Sequence, residues 1–328
     1  MNDRALPQPA PAIALVVNPC ALAGDNLGLW PRTVELLRRR AAICAELRTS
    51  ADGANAARVA ELVRQAQPEV IVAAGGDGTV SEVVQGIMLA AMNAAPALAI
   101  VPLGTANNVG RSLGLRSFRR QGHGGIALAT GAILDGQRRR IDLGQAGERY
   151  FAGSFALGMD ADILVTRNRL RRRLRLGRGI GGYPLYLWSC AVNLVRHRSS
   201  LARLRIDGAD ESAAIYNLLV SNAPIYAGEF RFDAVNTCDD GYLDLHRFAG
   251  ASDYLRRYPQ AWRRHLGHSR GLDVRAPAEL QRVRELHVDC DGPVACQIDG
   301  EEFPAVTSYC VRVVPQGLTV CVPPGVRP

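Results

Sequence analysis

Two short stretches combine residue types that can handle phosphate. "VIVAAGGDGTVSEVV", residues 70–84, ends an apolar run in Gly75, Gly76, Asp77, Gly78 and Thr79, and a helical pattern with Val80 and Ser81 follows. "VPLGTANNVGRSLGL", residues 101–115, repeats the plan with Gly104, Thr105, Asn107 and Asn108. Glycines in such turns can take positive φ and let a backbone approach a ligand closely. Thr79 with Glu82 three residues on fits a capping box, which would aim free N–H groups and the positive end of a helix dipole into the turn. That arrangement suits an anion such as phosphate. An empty strand-to-helix turn has the same pattern, and neither G-x-x-x-x-G-K-[ST] nor G-x-G-x-x-G is present. Two such loops on successive parallel strands would face one crevice, which favours a ligand.

Carboxylates gather in two later stretches, "DDGYLD" at 239–244 and "CQIDGEEF" at 296–303. Asp-Gly is an ordinary hairpin signal, yet the acidic density also suits Mg²⁺, which prefers carboxylate and carbonyl oxygens. Phosphoryl transfer to an alcohol needs a group that accepts the hydroxyl proton and a Mg²⁺ that offsets phosphate charge. Asp299, Glu301 and Glu302 offer such groups. The histidines at 123, 197, 246, 265, 268 and 287 show no metal spacing on a shared face and read as structural or surface residues.

The elements that must hold these loops alternate in the first part of the chain. "AIALVV", "CAELRTS", "EVIVAAGG" and "ALAIVPLG" read as strands. "PRTVELLRRRAAI", "AARVAELVRQAQ", "SEVVQGIMLAA" and "ANNVGRSLGL" read as helices. This spacing implies βαβ units and a parallel sheet covered on both faces. Ligands of such sheets sit beyond the carboxyl ends of the strands, where all the loops named above fall. After about residue 135 short strands follow one another, with "GGYPLYLWSCAVNLVRH" and "ASDYLRRYPQAWRRHL" as the helical exceptions. That texture indicates an all-β region, a sandwich with helical insertions.

A chain of 328 residues exceeds one average domain, and 48% hydrophobic against 21% charged residues is globular composition. A net charge of +8 and a pI near 9.3 point to an anionic partner: nucleotide phosphate, nucleic acid or an acidic membrane surface. The eight cysteines form no C-x-x-C pair, and several lie in apolar runs, which reads as a reducing, cytoplasmic setting. The N-terminal apolar run is too short for a signal peptide, and "YPLYLWSCAVNLV" is too short to span a bilayer. Residues 167–179, "RNRLRRRLRLGRG", are dense in arginine and lie near the aromatics of "YPLYLWSC". A solvated basic face is the common outcome, but docking on an anionic membrane is favoured over nucleic acid because no nucleic-acid fold signature occurs.

"GGDGTVSEVVQGI" together with "PLGTANNVGRSLGL" closely resembles the diacylglycerol kinase catalytic domain superfamily of lipid kinases, which includes bacterial diacylglycerol kinases and sphingosine kinases. NAD kinases share a looser form of the GGDG loop. "VVNPCALAG", "RTSADGANAAR", "RRIDLGQAGERYFAGSFALGMDADI" and "VSNAPIYAGEFRFDAVNTCDDGYLDL" extend the likeness along most of the chain.

The resemblance implies a doubly wound nucleotide-binding α/β domain over 12–134, after a leader at 1–11. A β-sandwich lipid domain would follow over 135–304, with a cleft between the domains and a tail from about 305 to 328 returning to the first. It implies ATP on Asn18, Thr49, Gly75 to Ser81, Gly104, Thr105 and Asn107. A structural Mg²⁺ is implied on Asp240 with the carbonyls of Thr237 and Tyr242. Glu301 is implied as the base with Asp299 in support, and Asp77 and Asp142 as holders of the catalytic Mg²⁺. The family usually has Asn-Asp where this chain has Asn107-Asn108, which removes a carboxylate. The expected activity is phosphorylation of a membrane-lipid hydroxyl, with diacylglycerol the leading acceptor, in a cytoplasmic enzyme that visits the membrane and admits a homodimer. An NAD kinase-like enzyme and a nucleotide-binding regulator without turnover are the alternatives.

Overall fold

The computed structural model describes residues 10–22, 28–115, 123–174, 182–233, 237–269 and 281–325. Nearly all of the expected leader, and Arg175 and Arg178 of the arginine-rich stretch, lie outside them. The chain divides into two compact units: residues 1–104, 113–139 and 319–327 make the first, and 105–112, 140–318 and 328 the second. The switches therefore fall at Arg140 and Thr319, against the expected 135 and about 305.

In the first unit, β1 (Ala12–Val17) leads through a short turn of helix, α1 (Pro19–Leu22), and α2 (Leu29–Arg38) to β2 (Ala42–Arg48). Then come α3 (Asn55–Ala66), β3 (Val70–Gly75), α4 (Asp77–Ala90) and β4 (Ala97–Pro102). After α5 (Asn108–Ser112), which belongs to the second unit, α6 (His123–Leu134) completes the layer. The strands are parallel in the order β4-β3-β1-β2. β1, β3 and β4 are β-branched and apolar because both their faces are covered. Ile13, Leu15, Val17, Val70 and Val72 pack with Leu37 of α2 and Ile133 of α6. α3 and α4 pack on one another and cover the opposite face. The chain moves outward from β1 to β2 and, on the other side, from β3 to β4. The order thus reverses between β1 and β3, where open α/β sheets bind ligands.

The second unit contains β5 (Gln137–Ala146, from Arg140 on), β6 (Arg149–Phe151), β7 (Ser154–Gly158), α7 (Met159–Arg173) and α8 (Gly182–Arg196). It continues with β8 (Ser200–Ile206), β9 (Ala209–Ile215), β10 (Asn217–Ser221), β11 (Leu243–Phe248) and α9 (Ala251–Ser269). It ends with β12 (Gln281–Val283), β13 (Glu285–Ile298) and β14 (Glu301–Val322, to Leu318 in this unit). β13 forks the antiparallel sheet, because Leu286–Cys290 pair with β8 whereas Cys296–Ile298 pair with β7. Register irregularities between Asp289 and Cys296 accompany the change of partner. The branches share one core, with Phe155, Leu218 and Leu245 from one and Leu204 and Ile206 from the other. This is the sandwich. The outer residues Ala156, Leu219 and Phe248 belong to a second core with α7, α8 and α9.

Several expected bounds differ. α2 stops at Arg38 and Ala42 already belongs to β2. α4 starts at Asp77, four residues before the expected Ser81. α6 and α7 are helices that the sequence pattern did not reveal. α7 carries Asp160 and Asp162 in its first turn and Arg171, Arg172 and Arg173 in its last, charges that complement the helix dipole.

Candidate functional site

In the first unit the expected nucleotide residues cluster at the switch point. Asn18 follows β1, and its Nδ2 donates to Thr79 Oγ1 at 3.1 Å, joining the loop after β1 to the first turn of α4. Asn18 Oδ1 accepts from Cys20 N at 3.0 Å, and Thr49 N donates to Val17 O at 2.9 Å. Leu103 N and Gly104 N both donate to Gly75 O. Gly104 Cα lies 3.3 Å from where a Gly76 Cβ would stand, so the loops after β3 and β4 touch through backbone. Asn18, Thr49, Gly75 to Ser81 and Gly104 thus belong to this unit, whereas Thr105 and Asn107 belong to the second.

Two expectations about this loop are corrected. Thr79 and Glu82 form no capping box: the N-cap is Gly76, with no side-chain cap, and Thr79 lies inside the helix. Glu82 Oε1 instead accepts from Asn55 Nδ2 at 2.8 Å, and Asn55 also holds Ser50, Oδ1 accepting from Ser50 N and Nδ2 donating to Ser50 O. Gly75, Gly76 and Gly78 do not have positive φ. Space is what requires glycine here, since a Cβ on Gly75 would collide with the Thr79 side chain. Because residues 75–81 include no basic side chain, phosphates at this loop would meet backbone N–H groups, hydroxyls and amides, with Asp77 in the first turn of α4.

The second unit builds the "CQIDGEEF" segment into the β13–β14 hairpin. Asp299 (φ 49) and Gly300 (φ 81) are both left-handed, and Ile298 pairs with Glu301, as in a two-residue type I′ turn. Asp299 Oδ1 accepts from Gly153 N and Ser154 N, each at 2.9 Å, and Oδ2 from Ala152 N at 3.2 Å. Its carboxylate therefore anchors the turn to the segment entering β7. Glu301, two residues on, is exposed. Glu302 accepts from Asn168 Nδ2 at 3.0 Å and Arg172 at 2.6 Å, both on α7. Burial, then Arg171, lowers the pKa of the Arg167 guanidinium, while Glu301 and Glu302 oppose that shift.

Asp142, expected to hold catalytic Mg²⁺ with Asp77, has another task. It is buried, Oδ2 accepts from Gly241 N at 2.6 Å and Oδ1 from Gln316 N at 2.7 Å. Its own N donates to Cys238 O at 2.6 Å. A carboxylate so occupied by backbone donors is a brace for the 237–242 loop, not an open ligand. Asp240 lies in that loop; its Oδ1 accepts from Tyr242 N at 3.1 Å and its Oδ2 is 3.5 Å from Arg282. Burial raises the Asp240 pKa, and Asp142 and Asp239 add to the rise. A cation beside Asp240 would relieve that repulsion, and a carboxylate next to backbone carbonyls is a donor set that fits Mg²⁺.

Sequence reasoning missed the residues that tie the loops of the second unit together. Asn108 Oδ1 accepts from Gly228 N at 2.6 Å in the "IYAGEF" loop, and Arg111 donates to Gly228 O. Asp160 accepts hydroxyl protons from Tyr226, Tyr254 and Tyr258. Burial, then Asp160, raises the pKa of each of the three phenols. Gln297 donates to Tyr226 Oη at 3.4 Å and accepts from Gly300 N at 2.7 Å, linking this cluster to the turn that carries Glu301. His287, on the surface as expected, has Nε2 2.7 Å from Glu285 and 3.9 Å from Cys310 Sγ, a grouping that pairing across β13 and β14 creates.

A parallel α/β unit with a glycine-rich turn at its switch point, followed by a sandwich with an acidic hairpin, defines a phosphotransferase class. Residues 12–146 match the family described as the diacylglycerol kinase catalytic domain. The diacylglycerol kinase of Bacillus subtilis is 26% identical over 238 residues, 71% of this chain and 74% of that protein. That of Staphylococcus haemolyticus is 35% identical over 241 residues, 71% and 65%. A Chromohalobacter salexigens protein described as "Probable lipid kinase YegS-like" is 29% identical over 238 residues, 70% and 72%. The crystal structure of a diacylglycerol kinase from Bacillus anthracis has a similar fold, with TM-score 0.69 at 20% identity over 96% of this chain and 98% of that one. The match to the diacylglycerol kinase catalytic domain lies over residues 12–146, and the enzyme class is that of an ATP-dependent lipid kinase.

Proposed function

We propose that the protein transfers the γ-phosphoryl group of ATP to a hydroxyl of a membrane lipid, with diacylglycerol as acceptor and phosphatidic acid as product. The triphosphate rests on Asn18, Thr49, the Gly75–Ser81 loop and Gly104. The hydroxyl proton goes to Glu301, and Arg167 balances the resulting charge. The observation that carries this assignment is the division of labour in the β13–β14 turn. Asp299 is committed to three backbone N–H groups, whereas Glu301 is exposed two residues on. Mg²⁺ on the nucleotide would neutralise phosphate charge as transfer proceeds, with Asp77 as the nearest acidic residue of the loop. A second, structural Mg²⁺ would be held by Asp240 and the carbonyls of Thr237 and Tyr242. The enzyme works in the cytoplasm and meets its acceptor at the bilayer.

The test is incubation with γ-labelled ATP, Mg²⁺ and a total lipid extract, with NAD offered in parallel, followed by identification of the labelled product. Label in phosphatidic acid is expected. Label in NAD, or in no lipid across detergents and metals, would refute the proposal.

A further inference from the structure

Two helices of the second unit leave apolar stripes uncovered. α8 turns Leu185, Ser189 and Asn193 inward and leaves Leu187, Trp188 and Val195 exposed by 50%, 60% and 73%. With Pro184 and Ala191, also exposed, these positions fall within about 100° of the helix circumference. α9 repeats the plan. It buries Tyr254, Tyr258 and Ala261 and exposes Leu255, Pro259 and Trp262, spaced four and three residues apart. Both helices pack into the same core over β7, β10 and β11, α8 through Tyr186, Cys190 and Leu194, so both stripes lie on the outer side of one face of the sheet. Solitary exposed apolar residues are ordinary, but two stripes over one sheet face that each contain a tryptophan are not.

The charges around the stripes say what covers them. α8 contains no acidic residue, and Arg196 and Arg198 at its end are exposed. Arg169 and Arg173 are exposed on α7, which packs beside it. On α9, exposed Arg256 and Arg263 border the stripe, and Asp253 is the one acidic residue of the helix. The chain has no lysine, so its permanent cations are arginines, charged at any physiological pH and able to bind phosphate bidentately. An apolar face with tryptophan, rimmed by cations, matches the interfacial zone of an anionic bilayer. No helix among the described residues is long and apolar enough to cross a membrane.

We infer that the outer faces of α8 and α9 form one surface that docks on an anionic lipid bilayer, Trp188 and Trp262 entering the headgroup boundary and the arginines meeting lipid phosphates. The inference deepens the lipid-kinase reading by naming how the enzyme meets its substrate. A second copy of the chain is the competing occupant, and its apposed arginine rims would repel.

The experiment uses the full chain carrying Trp30→Phe, so that Trp188 and Trp262 alone report, since Trp30 is buried in the first unit. Vesicles of phosphatidylcholine with and without phosphatidylglycerol are added in the absence of ATP. A blue shift and co-sedimentation with anionic vesicles are expected, weakening as salt rises. Leu187→Glu with Leu255→Glu should reduce vesicle binding about tenfold or more, and Arg169→Gln with Arg173→Gln should flatten the salt dependence. Turnover on short-chain diacylglycerol in detergent micelles, measured in parallel, should be unchanged in all variants. That arm separates docking from catalysis: absent turnover with intact vesicle binding sinks the kinase reading alone. Vesicle binding unaffected by the glutamates overturns the docking surface, as does sedimentation without vesicles that shows a dimer which the glutamates dissociate while vesicle binding stays unchanged.

Discussion

Asp299→Asn isolates the carboxylate that sets the Glu301 turn. Asparagine tolerates the left-handed φ of 49° at this position, so the backbone need not change. The charge is lost, and with it one acceptor oxygen. If the remaining oxygen keeps Gly153 N and Ser154 N, the new NH₂ group faces Ala152 N, a donor in a residue only 1% exposed. An unsatisfied buried donor costs about 1–3 kcal/mol, and hydrogen bonds to charged groups exceed neutral ones by up to about 1 kcal/mol each. The expected loss is therefore about 3 kcal/mol, read as a lower urea midpoint at unchanged slope, with a fall in kcat because Glu301 loses its fixed position. Gly153→Ala attacks the same contact from the other side, since its Cβ would stand 2.7 Å from Asp299 Oδ1. Two changes that break one contact must be non-additive. Wild-type stability in Asp299→Asn, or strict additivity of the pair, would refute the reasoning.

Further expectations concern the nucleotide loop and the acid limb of stability. Gly75→Ala forces Thr79 aside and breaks its bond to Asn18, so KM for ATP should rise about tenfold, the equivalent of one hydrogen bond; titration of ATP showing equal affinity would count against the cradle. His246 is buried, and that burial, with Arg257 and Arg264 nearby, pushes its pKa down to about 3. The unfolded state therefore binds a proton that the folded state refuses, and stability falls as pH drops below about 6.5. Between pH 7.5 and 5 this one group should cost about 2 kcal/mol. His246→Asn should show that much less acid sensitivity in denaturant titrations, and parallel curves would remove the claim.

Local patterns were legible where chemistry and periodicity are local. The apolar runs of β1, β3 and β4, the Asp299-Gly300 hairpin and the loops after the strands all stand in the sequence as they stand in the fold. Partners brought together over distance were not. Asp142 looked like a metal ligand because its bonds to Gly241 and Gln316 arise from residues 99 and 174 positions away. Asn55 looked like a loop residue, although it ties Ser50 to Glu82. The glycines of "GGDGT" suggested positive φ, when crowding by Thr79 and Gly104 is what excludes a side chain. α7 was hidden by its arginines, which obscure the apolar spacing of Met159, Ile163 and Leu164. The pairing of Trp188 with Trp262 as one surface needed the core that both helices share.

The most direct measurement of the central claim compares transfer of γ-labelled phosphate to diacylglycerol in mixed micelles by the wild type and by Glu301→Gln at saturating ATP. The wild type should produce labelled phosphatidic acid, and the variant should fall by about 100-fold or more while its ATP affinity and unfolding midpoint stay unchanged. Equal turnover in the two proteins would contradict the account, as would labelled ATP that binds the wild type without reaching any lipid.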